Sequence, residues 1–178
     1  MSRRKRSRPS AEIEAKAQQV LRDTATFQAP VPIETVAERL NLRVEPANLG
    51  KDVSGVLVVA DGRGTIGYNS DHHPVRYRFS IAHEIGHFML HQAKAPIFID
   101  KSYTIYLRDG KSSSGEDYQE VQANQFAAAL LMPEPLVREA LASNGIDLAD
   151  EMALFTLAET FEVSAQAMTF RLVNLGIL

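Results

Sequence analysis

Apolar residues recur every three or four positions in the first part of the chain, which predicts two helices there. Residues 11 to 24 carry Ile13, Ala17, Val20 and Leu21 at this spacing, and "PVPIETVAERLNL" places a proline in the first turn of a second helix. Three short β-branched segments follow, "LRVEP", "VSGVLVVADG" and "GTIGYNS", the last two joined by the turn signal "DGRG". The pattern therefore predicts a small antiparallel sheet after the two helices.

The stretch "RYRFSIAHEIGHFMLH" predicts a longer helix, from about Pro74 to His91, because its apolar residues keep the helical period. The stripe that we expect this helix to bury consists of Val75, Phe79, Ala82, Gly86 and Met89. The mixed segment "PIFIDKSYTIYLRDG" comes next and is able to pair as strands. The sheet and this helix together make an α+β domain the expected architecture.

A second long helix is predicted for "DYQEVQANQFAAALLM", which ends at Pro133 and Pro135 because proline restricts its predecessor and lacks a backbone donor. Shorter helices fill the remainder of the chain. We therefore expect three regions: a basic tail over residues 1–10, a main domain over residues 11–135, and a helical region over residues 136–178 packed on the core.

Charge is distributed unevenly along the 178 residues, whose formal net charge is −3. The segment "MSRRKRSRPS" contains five of the 19 basic residues and no acidic one, which leaves 14 basic residues against 22 acidic ones in the body. An acidic body argues against a broad nucleic-acid surface, so only the tail is a candidate for such contact. We expect the tail instead to be a disordered, solubilising end. No apolar run approaches the roughly 20 residues needed to cross a bilayer, and we expect a cytoplasmic protein without membrane association.

Three polar residues, His83, Glu84 and His87, stand inside an otherwise apolar run of the predicted helix. Residues four apart share a helix face, so the two histidines can direct their imidazoles at one point. In the H-E-x-x-H pattern two histidines bind Zn²⁺ and the glutamate acts on water, which makes Glu84 the candidate catalytic base. Alternatively, all three are solvated residues of a surface helix, but the apolar neighbours favour a metal site.

A catalytic zinc site needs a third protein ligand, and the chain has no cysteine to supply it. The helix of residues 117–131 places Glu120 and Asn124 one turn apart on a face that can pack beside the H-E-x-x-H helix. Glu120 is the candidate ligand. Asn124 is a candidate for orienting one of the ligands by a hydrogen bond, without contacting the metal itself. Alternatively, Glu120 is a solvated residue in the first turn of its helix, where the helix dipole favours a negative charge. Glu116 and Asp117 are rival candidates for the third ligand.

His91 extends the histidine row to a third position and raises the alternative of a three-histidine site. At 1.5 Å of rise per residue it lies about 12 Å along the axis from His83, too far for one helix to direct both at one ion. We therefore expect His91 to be a packing residue or a hydrogen-bond partner of a ligand.

"RYRFSIAHEIGHFMLH" followed by "EVQANQFAAALLMP" resembles the paired motifs of the ImmA/IrrE family of metallopeptidases. The resemblance implies a zincin-like fold, with a small antiparallel sheet packed on the H-E-x-x-H helix and a C-terminal helical region. It also implies one Zn²⁺ per chain, held by His83, His87 and Glu120, with Glu84 as base. Many relatives carry a second glutamate where this chain has Gln122, a departure that supports Glu120 as the ligand.

Family members typically act on a helix-turn-helix repressor encoded nearby, so the resemblance implies a zinc endopeptidase that relieves repression. It also leaves two alternatives: the toxin of a toxin–antitoxin pair, or a non-catalytic anti-repressor that binds its partner stoichiometrically. The segment "FTLAETFEVSAQAMTFRLVNLG" itself resembles a helix-turn-helix, but its second helix offers only Arg171 as a basic residue. We therefore expect it to cap the core rather than bind DNA.

The hairpin before the metal helix is the predicted substrate contact. Extended peptides pair with exposed sheet edges, and we expect this hairpin to supply such an edge near the metal. Its first strand contributes the candidate substrate-binding residues Val56, Leu57, Val58 and Val59, and residues 65–68 of the second strand are further candidates.

Overall fold

A computed structural model describes residues 11–61, 63–91, 97–100, 115–144 and 151–178. These residues form seven helices and four strands, which gives the expected α+β class. In chain order the elements are α1 (Ala11–Asp23), α2 (Ile33–Arg39), β1 (Leu42–Ala47), β2 (Gly55–Ala60), β3 (Arg63–Asn69), α3 (Pro74–His91), β4 (Ile97–Asp100), α4 (Gly115–Leu131), α5 (Glu134–Asn144), α6 (Glu151–Thr160) and α7 (Ala165–Asn174). The predicted tail over residues 1–10 lies outside the described part of the chain.

The helix boundaries have local causes in the sequence. Pro32 stands at the N-cap of α2, where its missing N–H removes no hydrogen bond from the helix. The hydroxyl oxygen of Ser164 caps α7 by accepting a hydrogen bond of 3.1 Å from the backbone N–H of Ala167. The predicted long helices are confirmed as α3 and α4, and α4 ends before Pro133.

The sheet is mixed, with strand order β1-β3-β2-β4, so the prediction of an antiparallel sheet is wrong in part. The predicted hairpin is confirmed, since β2 and β3 are antiparallel from Gly55↔Tyr68 to Ala60↔Arg63. However, β1 runs parallel to β3. After β1 the chain leaves one strand position empty and forms β2 beyond it. The second strand of the hairpin, β3, then fills that position and runs parallel to β1.

The prediction that the hairpin supplies an edge strand is also wrong. β3 lies between β1 and β2, and β4 pairs with β2 from Gly55↔Asp100 to Val58↔Ile97. Leu57 is fully buried. Within the described residues the two sheet edges therefore belong to β1 and β4. A substrate strand cannot add to β2 along Val56, Leu57 and Val58, because their outer hydrogen-bonding positions face β4.

Helix α3 runs between the sheet and α4, and its middle is buried all round from Ser80 to His87. Of the predicted stripe, Ala82 and Gly86 are buried, whereas Val75, Phe79 and Met89 are only half-buried. A single stripe underestimates the burial because α3 has a neighbour on two sides. The polar motif of α3 thus lies in the centre of the domain.

The last helices are attached to the core through buried arginines. Arg171 of α7 is 1% exposed, donates a hydrogen bond of 2.8 Å to the carbonyl oxygen of Met132, and pairs with the carboxylate of Glu14 on α1. Arg78 of α3 pairs at 3.1 Å with the carboxylate of Glu162, which follows α6, and also donates a bond of 2.9 Å to the carbonyl oxygen of Val31. The predicted boundary after residue 135 falls in the first turn of α5. In the described chain, no helix combines the length and apolarity needed to cross a bilayer.

Candidate metal centre

Two helices bring three side chains to one point. His83 and His87 lie one turn apart on α3, and their Nε2 atoms are 3.0 Å from each other. Glu120 reaches across from α4, with one carboxylate oxygen 3.1 Å from Nε2 of His83 and the other 3.1 Å from Nε2 of His87. These three residues form the one group of potential metal ligands found in the described residues.

The spacing of the three donor groups suits a tetrahedral ion. Four ligands at about 2.1 Å from a zinc ion are separated from one another by about 3.4 Å, close to the distances found between these atoms. Two imidazole nitrogens and one carboxylate oxygen also match the donor set of catalytic zinc sites that keep a fourth position open. The residues therefore fit a divalent metal, and zinc is the typical ion for them.

Asn124 lies one turn after Glu120 and contacts His83 from the far side of the ring. Its Oδ1 atom accepts a hydrogen bond of 3.0 Å from Nδ1 of His83. A proton on Nδ1 leaves the lone pair of Nε2 for a metal, so this bond selects the tautomer that a ligand needs. Asn124 therefore contacts a candidate ligand, and its role in orienting that ligand stays a prediction.

The Glu120 carboxyl stays ionised over a wide pH range. Burial alone would raise its pKa, but hydrogen bonds and electrostatic interactions with His83 and His87 hold the pKa well below its ordinary value. An ionised carboxylate is the form that binds a metal. The side chain keeps 39% of its surface exposed, so the site opens to solvent on this side.

Glu84 is fully buried next to His83 and is not part of the three-residue group. Its carboxylate lies against Gly55, the first residue of β2. Phe98 of β4 stacks on the ring of His87, with centroids 4.7 Å apart and planes 22° apart. Sequence reasoning missed both Gly55 and Phe98. A glycine inside a strand does signal a close approach, but no pattern marks Phe98 as the neighbour of a histidine.

The rival candidates take other places. His91 is buried with its ring centroid 5.7 Å from that of His87, and it stands outside the ligand group. The side chains of Glu116 and Asp117 lie outside the described part of the chain. Val56 to Val59 lie in the inner strand β2.

Known proteins resemble this chain in sequence and in fold. A model of the IrrE N-terminal-like domain, a peptidase family, matches residues 37–173. The radiation response metalloprotease IrrE of Deinococcus radiodurans is 36% identical over 107 residues, which cover 60% of this chain and 30% of that protein. Uncharacterized immunity region protein 2 of Bacillus phage phi105 is 29% identical over 104 residues, 58% of this chain and 60% of that protein.

The fold also has a solved counterpart. A Mycobacterium tuberculosis transcriptional regulator superposes with a TM-score of 0.60 at 17% identity, over 91% of this chain and 47% of that chain. At this identity the likeness concerns the fold alone. This chain matches less than two thirds of the length of each of these proteins. Since the family model spans most of the sequence, the chain belongs to the ImmA/IrrE family and contains its metallopeptidase-type domain.

Proposed function

We propose that this chain is a zinc-dependent endopeptidase, with His83, His87 and Glu120 as metal ligands and Glu84 as the catalytic base. The convergence of three donor groups within about 3 Å of one another is the observation that carries the proposal, and the buried Glu84 follows one of them in the chain. Two imidazole nitrogens and one carboxylate that converge in this way are a known donor set of catalytic zinc sites.

A bound zinc ion would polarise the peptide carbonyl and make water a stronger nucleophile at neutral pH. Glu84 accepts a proton from the water as its oxygen attacks the carbonyl carbon. Glu84 then gives the proton to the amine nitrogen as the C–N bond breaks, so the products are a carboxylic acid and an amine, which ionise at neutral pH to a carboxylate and an ammonium group. Asn124 holds His83 in its ligand tautomer throughout.

The substrate is proposed to bind along β4 as an added strand. β4 is an edge of the sheet in the described part of the chain, and Phe98 places it directly over His87. Ile97 and Ile99, on the opposite face of the strand, are 53% and 54% exposed. An extended peptide that pairs with this edge passes close to the metal ligands, and its backbone provides most of the contacts.

The proposed substrate is a helix-turn-helix repressor encoded near this chain. Two facts support this class of target: membership in the ImmA/IrrE family and the similarity to a phage protein described as an immunity region protein. The protein does not need to bind DNA itself for this role. Arg171, the basic residue of α7, is buried and paired with Glu14, which supports a structural role for α6 and α7.

The test has two substrates. Purified protein is incubated with and without Zn²⁺, first with the neighbouring regulator and then with a library of peptides from a digested proteome, and fragments are identified by mass spectrometry. A zinc-dependent regulator fragment of defined mass supports the whole proposal. Cleavage of the library alone supports a peptidase with a different substrate, and cleavage of neither by zinc-loaded protein contradicts the proposed activity.

A further inference from the structure

Gly55 leaves a space on the face of the sheet that looks towards α3, and the carboxyl group of Glu84 lies in that space. A Cβ atom built on Gly55 would lie 2.8 Å from Oε1 of Glu84, 3.3 Å from its Cγ and 3.5 Å from its Cδ. A carbon atom at 2.8 Å from an oxygen is well inside van der Waals contact. Glu84 can therefore adopt its observed place only while residue 55 has no side chain.

Of the two partners in this contact, the strand is the harder to move, and the carboxylate has little free space around it. Gly55 lies in an inner strand, where it is paired with Tyr68 on β3 and with Asp100 on β4. Glu84 is fully buried in the middle of α3, where the surrounding core is close-packed. An added methyl group would displace the carboxylate rather than the strand.

The loop that leads into Gly55 is held by further hydrogen bonds. The buried side chain of Asn69 donates to the carbonyl oxygens of Gly50 and Val53, at 2.6 Å and 2.9 Å. The guanidinium of Arg76 donates to the hydroxyl oxygen of Ser54 at 3.1 Å. These bonds fix the start of β2 relative to α3. They therefore fix the position of Gly55, against which the Glu84 carboxylate packs.

We propose that Gly55 is a positioning residue for Glu84: it gives the carboxylate of the base its place beside the metal ligands. The inference rests on the proposed peptidase function for its catalytic consequence, but not for the packing relation itself. Substitution at position 55 shifts the base without touching His83, His87 or Glu120. It therefore separates proton transfer from metal binding.

The packing relation is tested in metal-free protein, independently of activity. Unfolding temperatures are measured for wild type, Gly55→Ala, Glu84→Ala and the double variant. Gly55→Ala should lower the unfolding temperature of wild type, and should lower it much less, or not at all, in the Glu84→Ala background. If Gly55→Ala does not fold, the inference requires the double variant to recover folding. Equal losses in both backgrounds would overturn it.

Gly67 provides a matched control on the neighbouring strand. A Cβ atom there would meet Cγ1 of Val56 at 2.9 Å, on the opposite face of the sheet from Glu84. Gly67→Ala therefore introduces a similar contact in the same sheet. Its effect on the unfolding temperature should be the same whether residue 84 is Glu or Ala.

The catalytic consequence is tested with zinc-loaded protein on a cleavable substrate. Gly55→Ala should lower kcat about 10²-fold, as expected for a base displaced by about 1 Å, while KM and zinc content stay near wild type. Adding Glu84→Asp, which shortens the side chain, should lower kcat by a smaller factor in Gly55→Ala than in wild type. Wild-type kcat in Gly55→Ala would overturn the catalytic part. If wild type cleaves nothing, the peptidase proposal fails, and the unfolding temperatures still decide the packing relation.

Discussion

Gly86 of α3 lies directly against the backbone of Ala123 on α4. A Cβ atom at position 86 would be 3.1 Å from both the Cα and the carbonyl oxygen of Ala123. His83 and His87 flank Gly86 on one helix, and Glu120 precedes Ala123 by less than one turn on the other. The close approach of the two helices at this point is what brings a carboxylate from α4 within 3.1 Å of both imidazoles.

Gly86→Ala should weaken zinc binding by about 10-fold with little change in the free energy of unfolding. The methyl group pushes the helices apart by a few tenths of an ångström, enough to disturb ligand distances that tolerate about 0.2 Å. Alanine also gains about 1 kcal/mol of helix propensity over glycine, which offsets the strain. Competition with a chromophoric chelator measures the affinity. Adding Ala123→Gly should not restore it, because the methyl meets backbone atoms; full restoration would contradict this account.

The helical part of the site could be predicted from the sequence because its geometry is local. The spacing of His83 and His87 places both on one face of one helix, and Glu120 and Asn124 share a face of another. The pairing of the two helices follows from the family resemblance rather than from periodicity. In the structure each of the four side chains lies within hydrogen-bonding distance of at least one of the others, and their roles stay predictions.

The sheet could not be predicted fully because strand order depends on contacts between distant residues. The turn after Ala60 predicts the hairpin, but nothing local indicates that β1 pairs with β3, or that Ile97 to Asp100 cover β2. Because the strand order was predicted wrongly, the edge strand for substrate binding was also predicted wrongly, as β2. The role of Gly55 was hidden for the same reason: its partner Glu84 is far away in sequence.

Zinc should stabilise the protein, and Glu120→Ala should remove that effect. Zinc at 100 times its dissociation constant adds about 2.7 kcal/mol to the free energy of unfolding of a protein that binds it only when folded. Thermal unfolding with and without zinc measures the difference. His91→Ala is the comparison, and it should keep one zinc per chain because His91 lies outside the ligand group. Loss of binding in His91→Ala together with retention in Glu120→Ala would refute this ligand set.

Asn124→Ala should lower zinc affinity by about 10- to 100-fold, the usual cost of losing the hydrogen-bond partner of a ligating histidine. Asn124→Asp keeps an oxygen that accepts a hydrogen bond from the Nδ1–H group of His83, so the zinc affinity of this variant should stay near that of wild type. Gln125→Ala, at the next position of α4, is the control for general damage to the helix. If Asn124→Ala binds zinc as tightly as wild type, the 3.0 Å hydrogen bond does not orient the ligand.

Arg171→Ala should destabilise the fold by about 3 kcal/mol, because it leaves Glu14 and the carbonyl oxygen of Met132 without their buried partner. The matched control is Arg138→Ala on α5, which removes an exposed pair with Glu134 and should cost less than about 0.5 kcal/mol. Urea denaturation gives both values. Similar small losses in the two variants would mean that Arg171 does not attach α7 to the core.

Glu84→Gln tests the central claim most directly, because it keeps the size of the side chain and removes only its ability to carry a proton. Zinc content should stay near one per chain, while turnover should fall at least about 10²-fold. The measurement is cleavage of the neighbouring regulator by wild type and Glu84→Gln, alongside relief of repression in cells producing either protein. The account predicts that wild type cleaves and derepresses, whereas the zinc-loaded variant does neither. Equal derepression by both would contradict it, because catalysis would then be dispensable and stoichiometric binding of the regulator sufficient.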